Sequence, residues 1–112
     1  MKTKNQTASL LSEQFLDAVW LESGLSENTL NAYRADLAAF EGWLGKKKLP
    51  LDAVTRAELL GYLAANVRQG LSPRSSARRL STLRRFYRYL LREGLIGEDP
   101  TADVRSPSLG RP

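Results

Sequence analysis

The sequence contains neither cysteine nor histidine. The first absence excludes a disulfide framework, a thiolate metal site and a cysteine nucleophile. The second removes the usual zinc ligand and the commonest general base. No apolar run approaches the roughly 18 residues that a membrane span requires. The opening stretch MKTKNQTASLLSEQF lacks the apolar core of a signal peptide, so an intracellular soluble protein is expected. There is no glycine-rich phosphate loop of the GxxxxGK type, and the acids occur singly or as Glu98-Asp99 before a proline. With no nucleophile or base in an activating cluster, this chain is expected to be non-catalytic by itself and to need no metal or cofactor.

What is present is a chain of 112 residues, 42% hydrophobic and 26% charged, the composition of one globular domain with a small core. Net charge is +5, and it is unevenly placed. Residues 1–58 hold seven basic and eight acidic side chains, whereas residues 59–112 hold ten and four. Between Glu58 and Glu93 there are eight arginines and no acid. Such asymmetry points to a polyanionic partner, nucleic acid ahead of an anionic membrane surface.

Proline is absent before position 50, and no segment alternates apolar and polar residues as a strand does. The periodicity instead predicts an all-α chain of four helices in hairpins with short loops. The first covers residues 10–22, with Leu11, Phe15, Val19 and Trp20 at helical spacing and Gly24 ending it. The second starts after the cap Ser26 and runs to about Lys46, with Leu30, Tyr33, Leu37, Phe40 and Leu44 on one face. The third has a capping box, Thr55 with Glu58, followed by Leu59, Leu60, Leu63 and Val67. The fourth has Ser72 as its cap and Pro73 at its first position, and ends near Gly94. After Asp99 the composition shifts to PTADVRSPSLGRP, polar and proline-spaced. This divides the chain into a folded domain, 1–99, and the start of a linker, 100–112.

On a wheel of 100° per residue the fourth helix has two jobs. Leu80, Leu83, Tyr87, Leu90 and Leu91 form an apolar arc for the core. Arg74, Arg78, Ser81, Arg85, Arg88 and Arg92 follow alternating steps of four and three along another face, a stripe roughly 27 Å long at 1.5 Å per residue. Arginine suits a nucleic-acid partner because its planar fork matches phosphate oxygens and the O6/N7 edge of guanine. Arginines also serve simply to keep a helix solvated, but such a face normally intersperses glutamates at i,i+4, and here there are none. A membrane-surface helix would need a free apolar face. Here that face is needed for the core. Phe86 and Tyr87 read as core, leaving only Tyr89 to stack on an unpaired base.

The second helix opens with Asn28 and Thr29, followed by Asn31 and Arg34. Amides at a helix start favour phosphate, and asparagine pairs bidentately with adenine. Ordinary capping chemistry explains Ser26 to Thr29 equally well. Ala32, Ala35, Ala39 and Gly42 on its outer face would allow close approach of a helix or a DNA backbone. Lys46, Lys47 and Lys48 complement the helix dipole at its end.

Two stretches, GLSENTLNAYRADLAAFEGWL and SSARRLSTLRRFYRYLLREGLIGEDPTADVRSP, resemble the N-terminal core-binding domain of tyrosine recombinases, in particular the Xer branch. The likeness covers residues 9–108. It implies a SAM-like domain of two crossed helical hairpins, one half of a clamp around duplex DNA with the second and fourth helices facing the major groove. Carried onto this chain, DNA-contacting positions are Asn28, Thr29, Asn31 and Arg34, and Arg74, Ser75, Arg78, Arg79 and Arg85. Arg79 falls nearer the core edge of the wheel than the others. The family's catalytic signature, including Arg-His-x-x-Arg, has no counterpart in a chain without histidine. The resemblance therefore implies a longer bacterial, cytoplasmic and nucleoid-associated enzyme. That enzyme would cut and rejoin DNA through a 3′-phosphotyrosyl intermediate without metal or cofactor, in chromosome dimer resolution. Its protomers would meet XerC-like partners in a tetrameric synapse, whereas this chain alone would be monomeric. The competing expectation is a helical protein–protein interaction module whose basic face docks an acidic partner.

Overall fold

The computed structural model describes residues 3–105, with side chains from Leu10 onward. It contains four α-helices: α1 (Thr3–Ser23), α2 (Glu27–Lys46), α3 (Arg56–Arg68) and α4 (Pro73–Arg92). A short 3₁₀ turn, Leu51–Ala53, lies between α2 and α3. No strand occurs among the described residues, so the all-α class is as expected. The chain divides into two compact units, Met1–Leu51 and Asp52–Pro112. Each is a helical hairpin, α1 on α2 and α3 on α4.

Local chemistry places the helix starts. Ser26 accepts from the Thr29 N–H at 3.2 Å and Ser72 from the Ser75 N–H at 3.1 Å. At α3 the capping box closes both ways, with the Thr55 N–H donating to Glu58 Oε1 at 2.8 Å and Glu58 N–H to Thr55 Oγ1 at 3.5 Å. Each such cap satisfies an otherwise orphaned amide and contributes about 1 kcal/mol.

The ends of α2, α3 and α4 share one motif with different residues. In α3 and α4, Gly70 (φ 90°) and Gly94 (φ 75°) take the left-handed conformation. The next amide reaches back in each case, Leu71 to the Asn66 carbonyl and Leu95 to that of Leu90. This is the Schellman arrangement, which glycine adopts without strain. Helix α2 closes in the same way, Leu49 to the Leu44 carbonyl, but Lys48 carries the left-handed φ of 56°. The lysine run thus does more than complement the helix dipole.

In the first unit Phe15, Leu16, Val19, Leu37, Phe40, Leu44 and Leu51 are buried. Phe15 and Tyr33 stack with ring centroids 6.1 Å apart. In the second unit Leu59, Tyr62, Leu63, Leu80, Leu83, Phe86, Tyr87, Leu90 and Val104 are buried. Leu91, expected in the core, is corrected, and three other apolar positions at helical spacing also lie outside it. Trp20 is 50% exposed, Leu60 43%, Val67 53% and Leu91 41%. In α1 the inward face runs Ser12, Phe15, Leu16, Val19, and Trp20 lies one 100° step round from Val19, past the edge of that face. In α3 the inward face runs Leu59, Tyr62, Leu63, Asn66. A polar Asn66 on that face is what turned the apolar pattern toward Leu60 and Val67.

The described chain also stays packed past residue 99. Pro100, Thr101 and Val104 are buried. Residues 106–112, the rest of the expected linker, lie outside the described residues.

Candidate nucleic-acid interface

Helix α4 carries seven arginines, and the fold sorts them into two kinds. Arg74, Arg78, Arg85, Arg88 and Arg92 are exposed, as is Ser81 between them. They follow the alternating four- and three-residue steps that keep one face of a helix aligned. At its C-terminal end the stripe is partly engaged: Arg92 bonds Glu93 at 3.1 Å and lies 5.5 Å from the Tyr89 ring centroid. Ser75, half-buried at the helix start, gives its amide to the Ser72 cap.

The other two arginines turn away. Arg79 is half-buried in the seam with α3, where its Nη1 donates to Tyr62 Oη and to Asn66 Oδ1, each at 3.2 Å. Asn66 Nδ2, Ser76 Oγ and Arg79 Nε are buried there without a hydrogen-bond partner. Arg84 Nη2 donates to the Val104 carbonyl oxygen. Neither acceptor group is charged, so these contacts fix position rather than neutralise charge. The wheel places Arg79 100° from Arg78 toward the core, which was the available signal. Nothing in sequence spacing marked Tyr62, Asn66 or Val104 as arginine acceptors.

On the first hairpin, Asn28 and Asn31 are exposed on α2. Thr29 is half-buried and takes part in capping, its Oγ1 accepting from Ser26 Oγ at 3.1 Å. Arg34 forms an ion pair with Glu13 of α1, its side chain remaining 52% exposed. The first hairpin also holds Glu41, which accepts from Ser12 Oγ. Burial pushes the Glu41 carboxyl above its ordinary range, the Ser12 bond lowers it and the nearby Glu13 charge raises it further. Lys47 lies 4.8 Å from the Trp43 ring centroid, a cation–π contact at the end of α2.

Among the described residues no group of acids is arranged to hold a metal ion. No described helix is long and apolar enough to cross a membrane. The second unit offers a row of exposed guanidinium groups on α4, and the first unit, taken by itself, offers exposed polar amides on α2.

Comparison with known proteins supplies the class to which these four helices belong. Residues 12–94 match the model of the phage integrase N-terminal SAM-like domain, and the chain belongs to that family. It is 53% identical over 102 residues to the tyrosine recombinase XerD of Pseudomonas aeruginosa, a match covering 91% of this chain and 34% of that protein. The XerD of Pseudomonas putida is 54% identical over 102 residues, with the same 91% and 34% coverage. That of Proteus mirabilis is 50% identical over 100 residues, 89% of this chain and 32% of the relative. This chain thus spans about a third of the length of the curated relatives it matches. These relatives bear out the resemblance to the Xer branch of the tyrosine recombinases.

Proposed function

We propose that this chain is the DNA-gripping N-terminal domain of a site-specific tyrosine recombinase of Xer type. The observation that carries the reading is the exposed row of five arginines on α4, in a stretch with no acid between Glu58 and Glu93. Aligned like charges repel, and a polyanion lying along the row relieves that repulsion while releasing condensed counterions. Duplex DNA fits the row's length of roughly 27 Å, which follows several successive phosphates.

In this reading Arg74, Arg78 and Arg85, with Ser75 at the helix start, contact DNA from α4. Asn28, Thr29, Asn31 and Arg34 contact it from α2. Arg79 serves first as a cross-link between α3 and α4. Phosphate contacts set register, and asparagine or arginine edges in the major groove supply base readout. Residues 100–112 lead toward a catalytic domain. The full-length enzyme cuts and rejoins DNA through a 3′-phosphotyrosyl intermediate, acts in chromosome dimer resolution in the bacterial cytoplasm, and assembles with XerC-like partners into a tetrameric synapse. Strand cleavage belongs to that other domain, since the Arg-His-x-x-Arg signature has no counterpart here.

Duplex binding measured across salt concentrations tests the reading. With about three to five phosphate contacts, log K against log[salt] should slope at roughly −3 to −4.5. Affinity of this domain alone should lie near the roughly 10⁻⁴–10⁻⁶ M of non-specific complexes. Absence of duplex binding at low salt, together with binding of an acidic protein, would favour the interaction-module reading instead.

A further inference from the structure

Arg84 sits beside Arg85 in sequence but does not join the exposed row. Its guanidinium reaches the carbonyl of Val104, twenty residues on, in a segment that two turns hold in shape. Asp99 Oδ1 accepts from the Thr101 amide at 2.8 Å and from the Thr101 hydroxyl at 2.7 Å. The Ala102 amide donates to the Asp99 carbonyl at 3.1 Å and the Val104 amide to the Thr101 carbonyl at 3.2 Å. Thr101 is 1% exposed and Val104 2%. Residues 99–104 therefore form a clasp, with Val104 as its buried end and Arg84 as its pin.

We propose that Arg84 is a positioning residue: by pinning the 99–104 clasp to α4, it fixes where and in what direction the chain leaves this domain for the remainder of the recombinase. The inference rests on the reading of the chain as a recombinase N-terminal domain and adds to it a mechanical link. Arg84 and Arg85 project from the same turn of α4, one to the exit segment and one to the exposed row. The geometry of DNA engagement and that of chain exit are thereby set by a single turn of helix. A neutral carbonyl as acceptor suits this role, because the bond's value lies in its direction rather than in charge compensation. A catalytic tyrosine delivered from beyond the clasp is sensitive to such placement, since misplacement by about 1 Å costs on the order of a hundredfold in rate.

The test uses the full-length protein and three readouts: duplex affinity with its salt slope, thermal midpoint, and rate of covalent adduct formation on a suicide DNA substrate. Arg84→Met should leave affinity within about twofold and the salt slope unchanged, because no phosphate contact is lost. Its adduct rate should fall by about ten- to a hundredfold. Arg84→Lys, which keeps a donor, should recover part of that rate. Asp99→Ala opens the clasp from its other end without touching α4, and should reproduce the loss. The double variant should lose no more than either single one, since both act on one element. Should Arg84→Met fail to fold, Asp99→Ala decides the matter alone. An adduct rate unchanged in the folded variants overturns the proposal, as does a slope flattened by about one unit in Arg84→Met, which would make Arg84 a phosphate contact. Arg85→Ala run alongside separates the two levels. A flattened slope or relaxed base discrimination there with a normal Arg84→Met rate overturns the clasp alone, and an unchanged slope with unchanged discrimination there overturns the DNA reading together with it.

Discussion

In the α1–α2 hairpin charged groups find partners across the two helices: Arg34 of α2 pairs with Glu13 of α1, and Glu41 of α2 accepts from the Ser12 hydroxyl of α1. In the α3–α4 hairpin the cations that turn inward meet only neutral acceptors, Tyr62, Asn66 and the Val104 carbonyl, while five others stay exposed. Composition drives the contrast. Residues 1–51 carry six basic and six acidic side chains, whereas residues 52–112 carry eleven and six. The first hairpin can neutralise its own charge internally. In the second, acids are withheld from α4 until Glu93, so that its helix carries an excess of positive charge that an outside anion would help to neutralise. A basic residue near a proposed interface is thus worth different amounts in the two hairpins, according to whether an acid already holds it.

The largest expected effect asks whether both hairpins depend equally on their apolar seams. Leu37 and Leu83 are buried to within 1% in the first and second units respectively. Changing either to Ala should cost about 2–5 kcal/mol, read from urea or thermal unfolding. A loss below about 1 kcal/mol in one of them would show that hairpin to be held mainly by its polar contacts.

Next comes the charge contrast itself. Arg78→Ala and Arg85→Ala should each flatten the salt slope of duplex binding by about one unit if the residue meets a phosphate. If either instead reads a base edge, discrimination should relax by about 1–3 kcal/mol at a nearly constant slope. Arg34→Ala should do less, because Glu13 already compensates that charge. Glu13→Gln releases Arg34 and removes a repelling acid, so it should tighten duplex binding. Equal effects of Arg34→Ala and Arg85→Ala would erase the distinction drawn between the hairpins.

A smaller effect concerns how their helices end. The second hairpin closes α3 and α4 with glycine in the left-handed conformation, and the first closes α2 with Lys48 at φ 56°. Lys48→Gly should therefore stabilise the protein by about 0.5–1 kcal/mol in chemical denaturation, the relief of a side chain from an unfavourable backbone region exceeding the entropy cost of glycine. A destabilised variant would mean that Lys48 makes contacts worth more than its strain.

The smallest is a pH dependence arising at Glu41 in the first hairpin. Burial raises the Glu41 carboxyl above its ordinary value of 4.5, so the folded state holds that proton more tightly than the unfolded chain does. Its contribution to stability is then greatest below pH 4.5 and is lost as pH rises through the raised folded value. Glu41→Gln should flatten this fall while still accepting from Ser12, gaining on the unmodified protein at pH 7 relative to pH 4. Parallel stability profiles for the two proteins between those values would show the carboxyl to be unperturbed.

Much of this molecule was legible in one dimension. The caps Ser26, Thr55 with Glu58, and Ser72 with Pro73 fixed three helix starts, and periodicity placed Leu37, Phe40, Leu44, Leu80, Leu83 and Tyr87 inside. The exposed row Arg74, Arg78, Ser81, Arg85, Arg88, Arg92 was also readable, because a helix converts spacing into a face without help from the rest of the chain. These features depend on neighbours within about four residues, where backbone geometry alone decides who meets whom. What tertiary structure decided depends on partners brought from afar. Arg79 and Arg84 look like their neighbours in sequence, yet one is claimed by Asn66, thirteen residues away, and the other by Val104, twenty away. The same packing turned Asn66 inward and left Leu60 and Val67 outside, and it buried Val104 in a segment whose composition reads as linker. A long, flexible cation has many orientations of similar intrinsic energy, so the acceptor that folding places within reach selects among them.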